Sequence, residues 1–187
     1  YQINKMTGEM YCNYYFHNFG LPIVNCRFFN SFGPGEVPGQ YRNVIPNFIY
    51  WAMKDIPLPI TGDGSETRDF TYVLDLVKAI SLLTAKIPLQ VKKRTSIIKN
   101  DSISNVAPFR IVNIGSSKPV NLLDYITQLE KVLGKISKKN FLGMQDGDIK
   151  ETHSNVELLE TLTGFRPNTT LQEGISQFVK WYKSYYI

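Results

Sequence analysis

The stretch PIVNCRFFNSFGPG, residues 22–35, decides the fold class of this chain. Residues 22–29 form a short apolar run that predicts a buried strand. Residues 32–39 follow with recurring glycine and proline, which predict a loop. A helical pattern over residues 5–19 precedes the strand and stops at Gly20. A helix that leads into a buried strand and then into a glycine-rich loop is typical of an α/β fold.

Strands and helices continue to alternate beyond this stretch, so the α/β prediction extends to the whole chain. Helices are predicted over residues 46–54, from Asp75 onward, and over 122–133, 156–162 and 171–182, with strands over 70–73, 109–114 and 139–142. Residues 87–108 break the alternation, because they are polar, basic and rich in serine. That composition predicts an insertion or a mobile loop.

The composition is that of an ordinary globular protein, with 43% of the 187 residues hydrophobic and 20% charged. This length allows one sizeable core, and a first residue that is Tyr1 rather than methionine predicts a piece of a longer protein. A net charge of +5 suits an anionic small substrate. No nucleic-acid-binding motif accompanies the basic clusters at residues 86–99 and 135–139, so we expect solvated surfaces and no nucleic-acid partner.

Cys12 and Cys26 are the only cysteines, and neither lies in a C-x-x-C pair or near clustered histidines. We therefore expect no metal site and no disulfide framework, and a reducing cytoplasm is the expected location. No apolar run reaches the roughly 18 residues that a membrane span requires, so no membrane association is expected. The lone histidines His17 and His153 are expected to be structural.

Tyr1 and Lys5 form a Y-x-x-x-K pair, which is the first candidate for chemistry. Positions i and i+4 share one face of a helix, so a phenol and an ammonium group there can address one ligand. Tyrosine alone is a poor base at neutral pH, and a neighbouring cation makes it a better one by stabilising the phenolate. Such a tyrosine can take a proton from a sugar hydroxyl while hydride leaves the same carbon. For an isolated pair, a core tyrosine beside a surface lysine is the alternative.

An ordered set of short motifs follows this pair along the chain. The motifs are Arg27-Phe28-Phe29-Asn30, Gly33-Pro34-Gly35, Gly62-Asp63-Gly64, Arg68-Asp69-Phe70, Tyr72-Val73, Asn113-Ile114-Gly115, Gly147-Asp148, Gly164-Phe165-Arg166-Pro167, Glu173-Gly174 and Trp181-Tyr182. In order and spacing they resemble the extended short-chain dehydrogenase/reductase family, in its NAD-dependent nucleotide-sugar epimerase and dehydratase branch. The resemblance covers nearly the whole chain except residues 87–108. It implies the C-terminal part of a Rossmann-type fold with a small mixed α/β substrate-binding domain.

The resemblance also implies how the chain divides. Residues 1–32 and 70–115 would belong to the Rossmann side, and residues 33–69 and 116–187 would form the nucleotide-sugar-binding domain. The family's G-x-x-G-x-x-G turn, which sets a pyrophosphate on a helix N-terminus, lies upstream of its catalytic tyrosine. We expect that segment to be missing from a chain that begins at Tyr1, which would leave the isolated chain inactive. A homodimer through the helix at Tyr1 is the assembly that the family implies.

The resemblance assigns roles to individual residues. Tyr1 and Lys5 would be the catalytic pair, and both would contact the cofactor NAD together with Phe28. The substrate contacts would be Asn30 and Asn43 at the nucleotide diphosphate, Val44 at the uracil, Arg68 at the diphosphate and Asp148 at the nucleotide ribose. The residues themselves leave two alternatives open. Arg68 could form a structural ion pair with Asp69 or Glu66, and Asp148 could belong to a plain Gly-Asp turn.

The implied activity is NAD-dependent epimerisation of a UDP-hexose at C4 through a transient 4-keto intermediate. The motifs are most similar to those of UDP-glucuronate and UDP-glucose 4-epimerases, although Gln145 stands where many of the latter carry arginine. Asn30 and the loop at residues 35–38 are more similar to other branches, so the sugar stays open. The alternatives are a nucleotide-sugar 4,6-dehydratase or decarboxylase, and a non-catalytic module that only holds nucleotide sugars.

Overall fold

A computed structural model describes residues 1–89, 93–94, 98–105, 108–144 and 147–187. The elements in chain order are α1 (Gln2–Phe19), β1 (Ile23–Phe28), β2 (Ser31–Phe32), α2 (Val44–Met53), β3 (Leu58–Thr61), β4 (Thr67–Asp69), β5 (Thr71–Tyr72), α3 (Val73–Thr84), β6 (Phe109–Ile114), β7 (Pro119–Asn121), α4 (Leu122–Leu133), β8 (Lys139–Leu142), α5 (Glu157–Thr163) and α6 (Leu171–Tyr186). Helices and strands alternate along most of the chain, which confirms the predicted α/β class. Within these ranges, no helix is long and apolar enough to cross a membrane.

The described strands pair two by two, and most of the pairs are parallel. β1 runs parallel to β6, with Ile23 opposite Phe109 and Phe28 opposite Ile114. β2 pairs with β5 and β3 with β8 in the same parallel sense, whereas β4 and β7 are antiparallel. The carboxyl ends of β1 and β6 therefore meet at one edge, which is where open α/β sheets place their ligands.

Two hydrophobic clusters form the interior. The large cluster joins α2, α4 and α6 to the strands β2, β3 and β5, and its fully buried members include Ile45, Ile49, Leu58, Ile60, Tyr125, Ile126, Leu129, Ile175 and Phe178. The small cluster packs α3 and α5 against β1 and β6, with Ala79, Val112, Ile114 and Leu159 at its centre. Separate clusters of this kind are what a chain contributing to two domains is expected to have.

The helix α5 packs in the small cluster, although the resemblance places residues 116–187 in the substrate-binding domain. Leu159 and Leu162 are buried with residues of α3 and β6. The position of α5 thus differs from the expectation, because its apolar side faces the β1–β6 pair. The domain boundaries themselves stay a prediction.

Several element boundaries differ from the predicted ones. α1 begins at Gln2 rather than Lys5, α2 at Val44 rather than Pro46, and α3 at Val73 rather than at Asp75. The predicted strand over residues 70–73 is shorter, because Val73 already forms the first turn of α3. The strands β2, β4 and β7 are two or three residues long, which is too short for a period of two to be recognised.

Residues 98–105, part of the predicted insertion, are tied to β6. Asp101 accepts hydrogen bonds from both Nε and Nη2 of the buried Arg110, each at 2.9 Å. Ser104 donates its backbone N–H to the carbonyl of Phe109 at 2.8 Å, and Ser102 Oγ accepts from the backbone N–H of Ile111 at 3.0 Å. These bonds cover the edge of β6 that faces away from β1, which protects an otherwise open strand.

The remainder of the insertion includes residues 90–92, 95–97 and 106–107, which lie outside the described residues. The predicted mobility of the insertion as a whole therefore stays a prediction. Residues 98–105 differ from the mobile loop that their composition predicted. Their polar groups form hydrogen bonds with β6 instead of with water.

Candidate active site

Tyr1 and Lys5 stand together at the amino-terminal end of α1. The Lys5 backbone N–H closes the first turn by donating to the Tyr1 carbonyl at 3.1 Å. The Lys5 ammonium lies 5.2 Å from the centroid of the Tyr1 ring. A core tyrosine, the alternative for this pair, does not fit a ring that is 88% exposed. Both side chains are open to a ligand.

Phe28 ends β1 at the ligand-side edge of the β1–β6 pair and is half-exposed. An exposed aromatic ring there offers an apolar contact to another planar ring. Arg27, the preceding residue, donates two hydrogen bonds of 2.7 Å to the Glu9 carboxylate on α1. The hydrogen bond from Arg27 lowers the pKa of Glu9. This ion pair holds α1 against β1 beside Phe28.

Arg68 in β4 forms an ion pair with Asp148, with 3.0 Å between Nη2 and Oδ1. Arg68 Nη1 donates to the carbonyls of Thr67 at 2.9 Å and Lys150 at 3.3 Å. Among the described residues, these bonds engage three of the five N–H groups of the guanidinium. Its side chain is 23% exposed, so Nε–H and one Nη2–H can serve a ligand.

The ion-pair partner of Arg68 differs from both partners that the sequence offered, whereas Asp148 combines a turn with an ion pair. Arg68 does not pair with Asp69 or Glu66 within the described residues, but with Asp148, which is 80 positions away. Asp148 also accepts the backbone N–H of Ile149 at 2.9 Å, so it both caps a turn and faces Arg68. Its neighbours Gln145 and Asp146, used for the subgroup comparison, lie outside the described residues.

Asn30 lies between β1 and β2 with a positive φ of 24°. Its amide nitrogen donates to the carbonyl of Asp69 at 3.2 Å and to Thr152 Oγ1 at 3.3 Å. Its backbone carbonyl accepts from Thr71 N–H at 3.2 Å. Asparagine tolerates a left-handed backbone better than most residues, and here its side chain reaches the carbonyl of Asp69, the residue that follows Arg68.

Asn43 is the residue before α2, and Val44 is the first residue of that helix. The Asn43 amide nitrogen donates to the Ser31 carbonyl at 3.1 Å and to Glu36 Oε1 at 3.2 Å. Partial burial raises the pKa of the Glu36 carboxyl, and the Asn43 hydrogen bond opposes that rise. Asn43 thus closes the loop after β2 onto the start of α2.

The predicted substrate residues are linked by consecutive hydrogen bonds. Asn43 bonds to Ser31, the neighbour of Asn30, and Asn30 bonds to Asp69, the neighbour of Arg68. Arg68 then bonds to Asp148. No hydrogen bond or ring contact in the described part of the chain joins this set to Tyr1, Lys5 or Phe28. The structure therefore links Asn43, Asn30, Arg68 and Asp148 in one group, and Tyr1 with Lys5 in another, while Phe28 and Val44 are joined to neither by a hydrogen bond or ring contact among the described residues.

Asp69 is the residue that sequence reasoning missed, since it appeared only as an alternative partner of Arg68. Its carboxylate is fully buried and accepts hydrogen bonds from Ser116, Ser117 and Ser154. The Arg68-Asp69-Phe70 motif contained the signal, because an acidic residue beside a buried aromatic is rarely left without partners. No group of three metal-ligating side chains occurs among the residues that the structure describes.

The sequence of this chain matches a family model and is similar to several known proteins. The model of the NAD dependent epimerase/dehydratase family matches residues 1–97. Protein CapI of Staphylococcus aureus is 37% identical over 100% of this chain and 54% of its own length. The probable UDP-glucuronate 4-epimerase of Rhizobium meliloti is 35% identical over the same shares. The chain thus spans about half the length of the curated relatives that it matches.

A solved structure gives the same result for the fold. The UDP-glucuronic acid 4-epimerase of Bacillus cereus, crystallised with UDP-glucuronic acid and NAD, superposes with a TM-score of 0.80 at 30% identity. The match covers 98% of this chain and 52% of that enzyme. The α/β fold of this chain is therefore the fold of that part of an NAD-bound UDP-sugar epimerase.

Proposed function

Because the chain belongs to the NAD dependent epimerase/dehydratase family, we propose that it binds the nucleotide sugar in an NAD-dependent 4-epimerase of UDP-hexoses. The observation that carries the proposal is the linked group of Asn43, Asn30, Arg68 and Asp148. A guanidinium with N–H groups that no other described residue engages suits a diphosphate that carries about two negative charges.

Arg68 is the main anchor of the diphosphate in this proposal. The diphosphate does not react, so binding energy gained there holds the sugar without opposing the reaction at C4. An epimerase needs such a tether, because the oxidised sugar must turn over before hydride returns to its other face. Asp148 would exchange part of its contact with Arg68 for the nucleotide ribose, whose hydroxyls can donate to a carboxylate.

The cofactor side of the proposal rests on Tyr1, Lys5 and Phe28. Tyr1 would take the proton from the C4 hydroxyl and later return it, while the Lys5 ammonium stabilises the phenolate. Both groups are exposed and close together, and Phe28 provides an exposed aromatic surface, so these residues fit a nicotinamide nucleotide. NAD, when bound, supplies reversible hydride acceptance.

UDP-glucuronic acid is the first substrate that we propose, since the Rhizobium meliloti and Bacillus cereus relatives are named for it. The test is to assay the complete gene product with UDP-glucuronic acid, UDP-glucose and UDP-N-acetylglucosamine. Epimerisation keeps the product mass, whereas a dehydratase would release water and a decarboxylase would release carbon dioxide. Mass spectrometry of the product therefore separates these activities.

Replacement of Tyr1 by phenylalanine tests the mechanism in the same assay. Loss of a general base typically costs about 10²–10⁴-fold in rate. Tyr185→Phe is the matched control, because Tyr185 is an exposed tyrosine on α6, outside the candidate site and the α1 surface, and it should keep full turnover. Full turnover by Tyr1→Phe would reject this role for the residue.

A homodimer in the cytoplasm belongs to the same proposal. α1 buries only Phe16 and exposes large apolar side chains, among them Met6, Met10, Tyr11 and Tyr14. Exposed apolar surface of this extent is typical of a face that other protein covers, either a second copy or the part of the relatives' length that this chain does not span. Light scattering of the complete gene product would measure the mass directly, and a monomer at micromolar concentration would contradict the proposed assembly.

A further inference from the structure

The carboxylate of Asp69 is buried and carries five hydrogen bonds. Oδ1 accepts from the backbone N–H and the hydroxyl of Ser116 at 2.8 and 2.6 Å. Oδ2 accepts from Ser117 N–H at 3.0 Å and from the N–H and hydroxyl of Ser154 at 2.9 and 2.5 Å. Its relative exposure is 0%, and no cationic side chain pairs with it among the described residues. Neutral donors alone replace water around this group.

These donors come from parts of the molecule that are distant in sequence. Asp69 ends β4, which adjoins the large cluster, whereas Ser116 and Ser117 follow β6, a strand of the small cluster. Ser154 precedes α5, which also packs in the small cluster. Asp69 is therefore a joint between the two clusters.

Because Gly115 has no side chain, Asp69 and Ser154 have room to approach each other. A Cβ atom at Gly115 would lie 2.1 Å from Ser154 Oγ and 3.1 Å from Asp69 Oδ2. The first distance is shorter than real Cβ contacts and the second is unusually tight, and both oxygens are held by hydrogen bonds. The glycine of the Asn113-Ile114-Gly115 motif is thus explained by the carboxylate network rather than by its backbone angles.

The backbone of Asp69 connects the joint to the candidate ligand site. Its N–H donates to Thr152 Oγ1 at 3.1 Å, and its carbonyl accepts from the Asn30 amide at 3.2 Å. Arg68 is the preceding residue in the same short strand. A shift of Asp69 would consequently move both Asn30 and Arg68.

We propose that Asp69 is a positioning residue for nucleoside-diphosphate binding: by fastening β4 to the Ser116–Ser117 turn and to Ser154, it sets Arg68 and Asn30 at the diphosphate. This inference rests on the proposed function. Asp69 does not touch the ligand; it acts through Arg68 and Asn30. A purely structural carboxylate would stabilise the fold and leave the affinity of the folded protein unchanged.

The experiment compares Asp69→Asn with Asp75→Asn in the complete gene product, using UDP as the probe. Asparagine keeps the size of the side chain but puts an NH₂ donor where serine donors converge. Asp75 is the matched control, because it is another buried carboxylate that joins elements, accepting the N–H groups of Asn168 at 3.1 Å and Thr169 at 2.9 Å. It lies in α3, outside the group that includes Arg68.

Binding is measured by titration calorimetry at a temperature where each variant is folded. The dissociation constant of Asp69→Asn for UDP should exceed that of the wild type by about tenfold or more. Asp75→Asn should lower the melting temperature and leave that constant unchanged. If Asp69→Asn does not fold, Ser116→Ala and Ser154→Ala each remove one hydroxyl donor, and each should raise the constant by a smaller factor.

The outcomes separate this inference from the function on which it rests. If the wild type binds UDP and Asp69→Asn, or both serine variants, bind it with the same affinity, the role of Asp69 is overturned. The proposed function is then unaffected. An equal loss of UDP affinity in Asp75→Asn would also overturn the role of Asp69, because the loss would then follow from removing any buried carboxylate that connects elements. Absence of UDP binding by the wild type would overturn the proposed function and this inference with it.

Discussion

The charged groups at the joints of the molecule and those at the candidate ligand face are held in opposite ways. At the joints, Asp69 and Asp101 are buried, and groups of the chain itself satisfy their oxygens. At the ligand face, Arg68 and Asp148 share one ion pair, remain partly exposed and keep hydrogen-bonding capacity that no other described residue uses. Tyr1 is almost fully exposed.

This difference in burial and hydrogen bonding indicates which groups can contribute binding energy to a ligand. A buried group whose partners are all internal contributes to stability, and its removal leaves an unpaired partner behind. A partly exposed group with unused donors can exchange water for a ligand at small cost. Replacing the first kind should therefore change unfolding, and replacing the second kind should change binding. Asp69 is expected to do both, because Arg68 and Asn30 depend on its position.

The largest effect is expected from Asp101→Asn, which removes the charge that faces the buried Arg110. Breaking one partner out of a buried pair costs about 3–5 kcal/mol in the free energy of unfolding. Asp55→Asn is the control, because Asp55 pairs with Lys135 on the surface and should leave the denaturation midpoint nearly unchanged. Equal midpoints for both variants in urea titrations would mean that residues 98–105 are not anchored as described.

Arg68→Ala should come next, and it should act on binding. We expect a loss of about 2–4 kcal/mol in the affinity for UDP, within the range for truncating one partner of a desolvated charge pair. Arg68→Lys should recover only part of this, because lysine lacks the planar fork. Arg166→Ala is the control, since Arg166 pairs with Glu160 in a half-exposed ion pair. Unchanged UDP affinity of Arg68→Ala in calorimetry would contradict its role as anchor.

Gly174→Ala tests how tightly the large cluster is packed. A Cβ atom would lie 2.5 Å from the buried ring of Phe32 and 3.1 Å from that of Tyr72. We expect a destabilisation of about 1–3 kcal/mol from overpacking. Gly8→Ala is the opposite case, because nothing lies within 4 Å of its Cβ position in α1. Helix propensity should make Gly8→Ala neutral or more stable, by up to about 1 kcal/mol. Thermal unfolding that ranks the two variants the other way would contradict the packing.

The smallest effect is expected from Glu9→Gln, at the exposed pair with Arg27. The pair lowers the pKa of Glu9, chiefly through the Arg27 hydrogen bond, so its contribution is present above the unfolded-state value of about 4.3. It is lost as pH falls through the lowered pKa of the folded state. Solvent screening keeps the contribution below about 1 kcal/mol at pH 7. Wild type and variant should therefore converge in unfolding free energy as pH falls through the lowered pKa of Glu9, and a gap that widens in acid would have the wrong sign.

Features that depend on local pattern were predictable from the sequence. The alternation of helices and strands and the shared face of Tyr1 and Lys5 follow from backbone periodicity, which acts over a few residues. The strand predicted over residues 22–29 is present as β1, but it is partly exposed in this chain rather than buried. The resemblance pointed to Arg68, Asn30 and Asn43, and these residues do lie in one hydrogen-bonded group. Their roles toward a ligand stay predictions.

Only the tertiary structure could decide which charged groups meet. Arg68 pairs with Asp148 rather than with the nearby Asp69 or Glu66, and Asp69 is satisfied by serines 47 to 85 positions away. Residues 98–105 of the serine-rich insertion are likewise anchored through Asp101, which their composition did not indicate. The physical reason is that an ion pair or a buried hydrogen bond depends on distance in space and on burial. Both are set by how the two clusters pack, and neither leaves a periodic trace in the sequence.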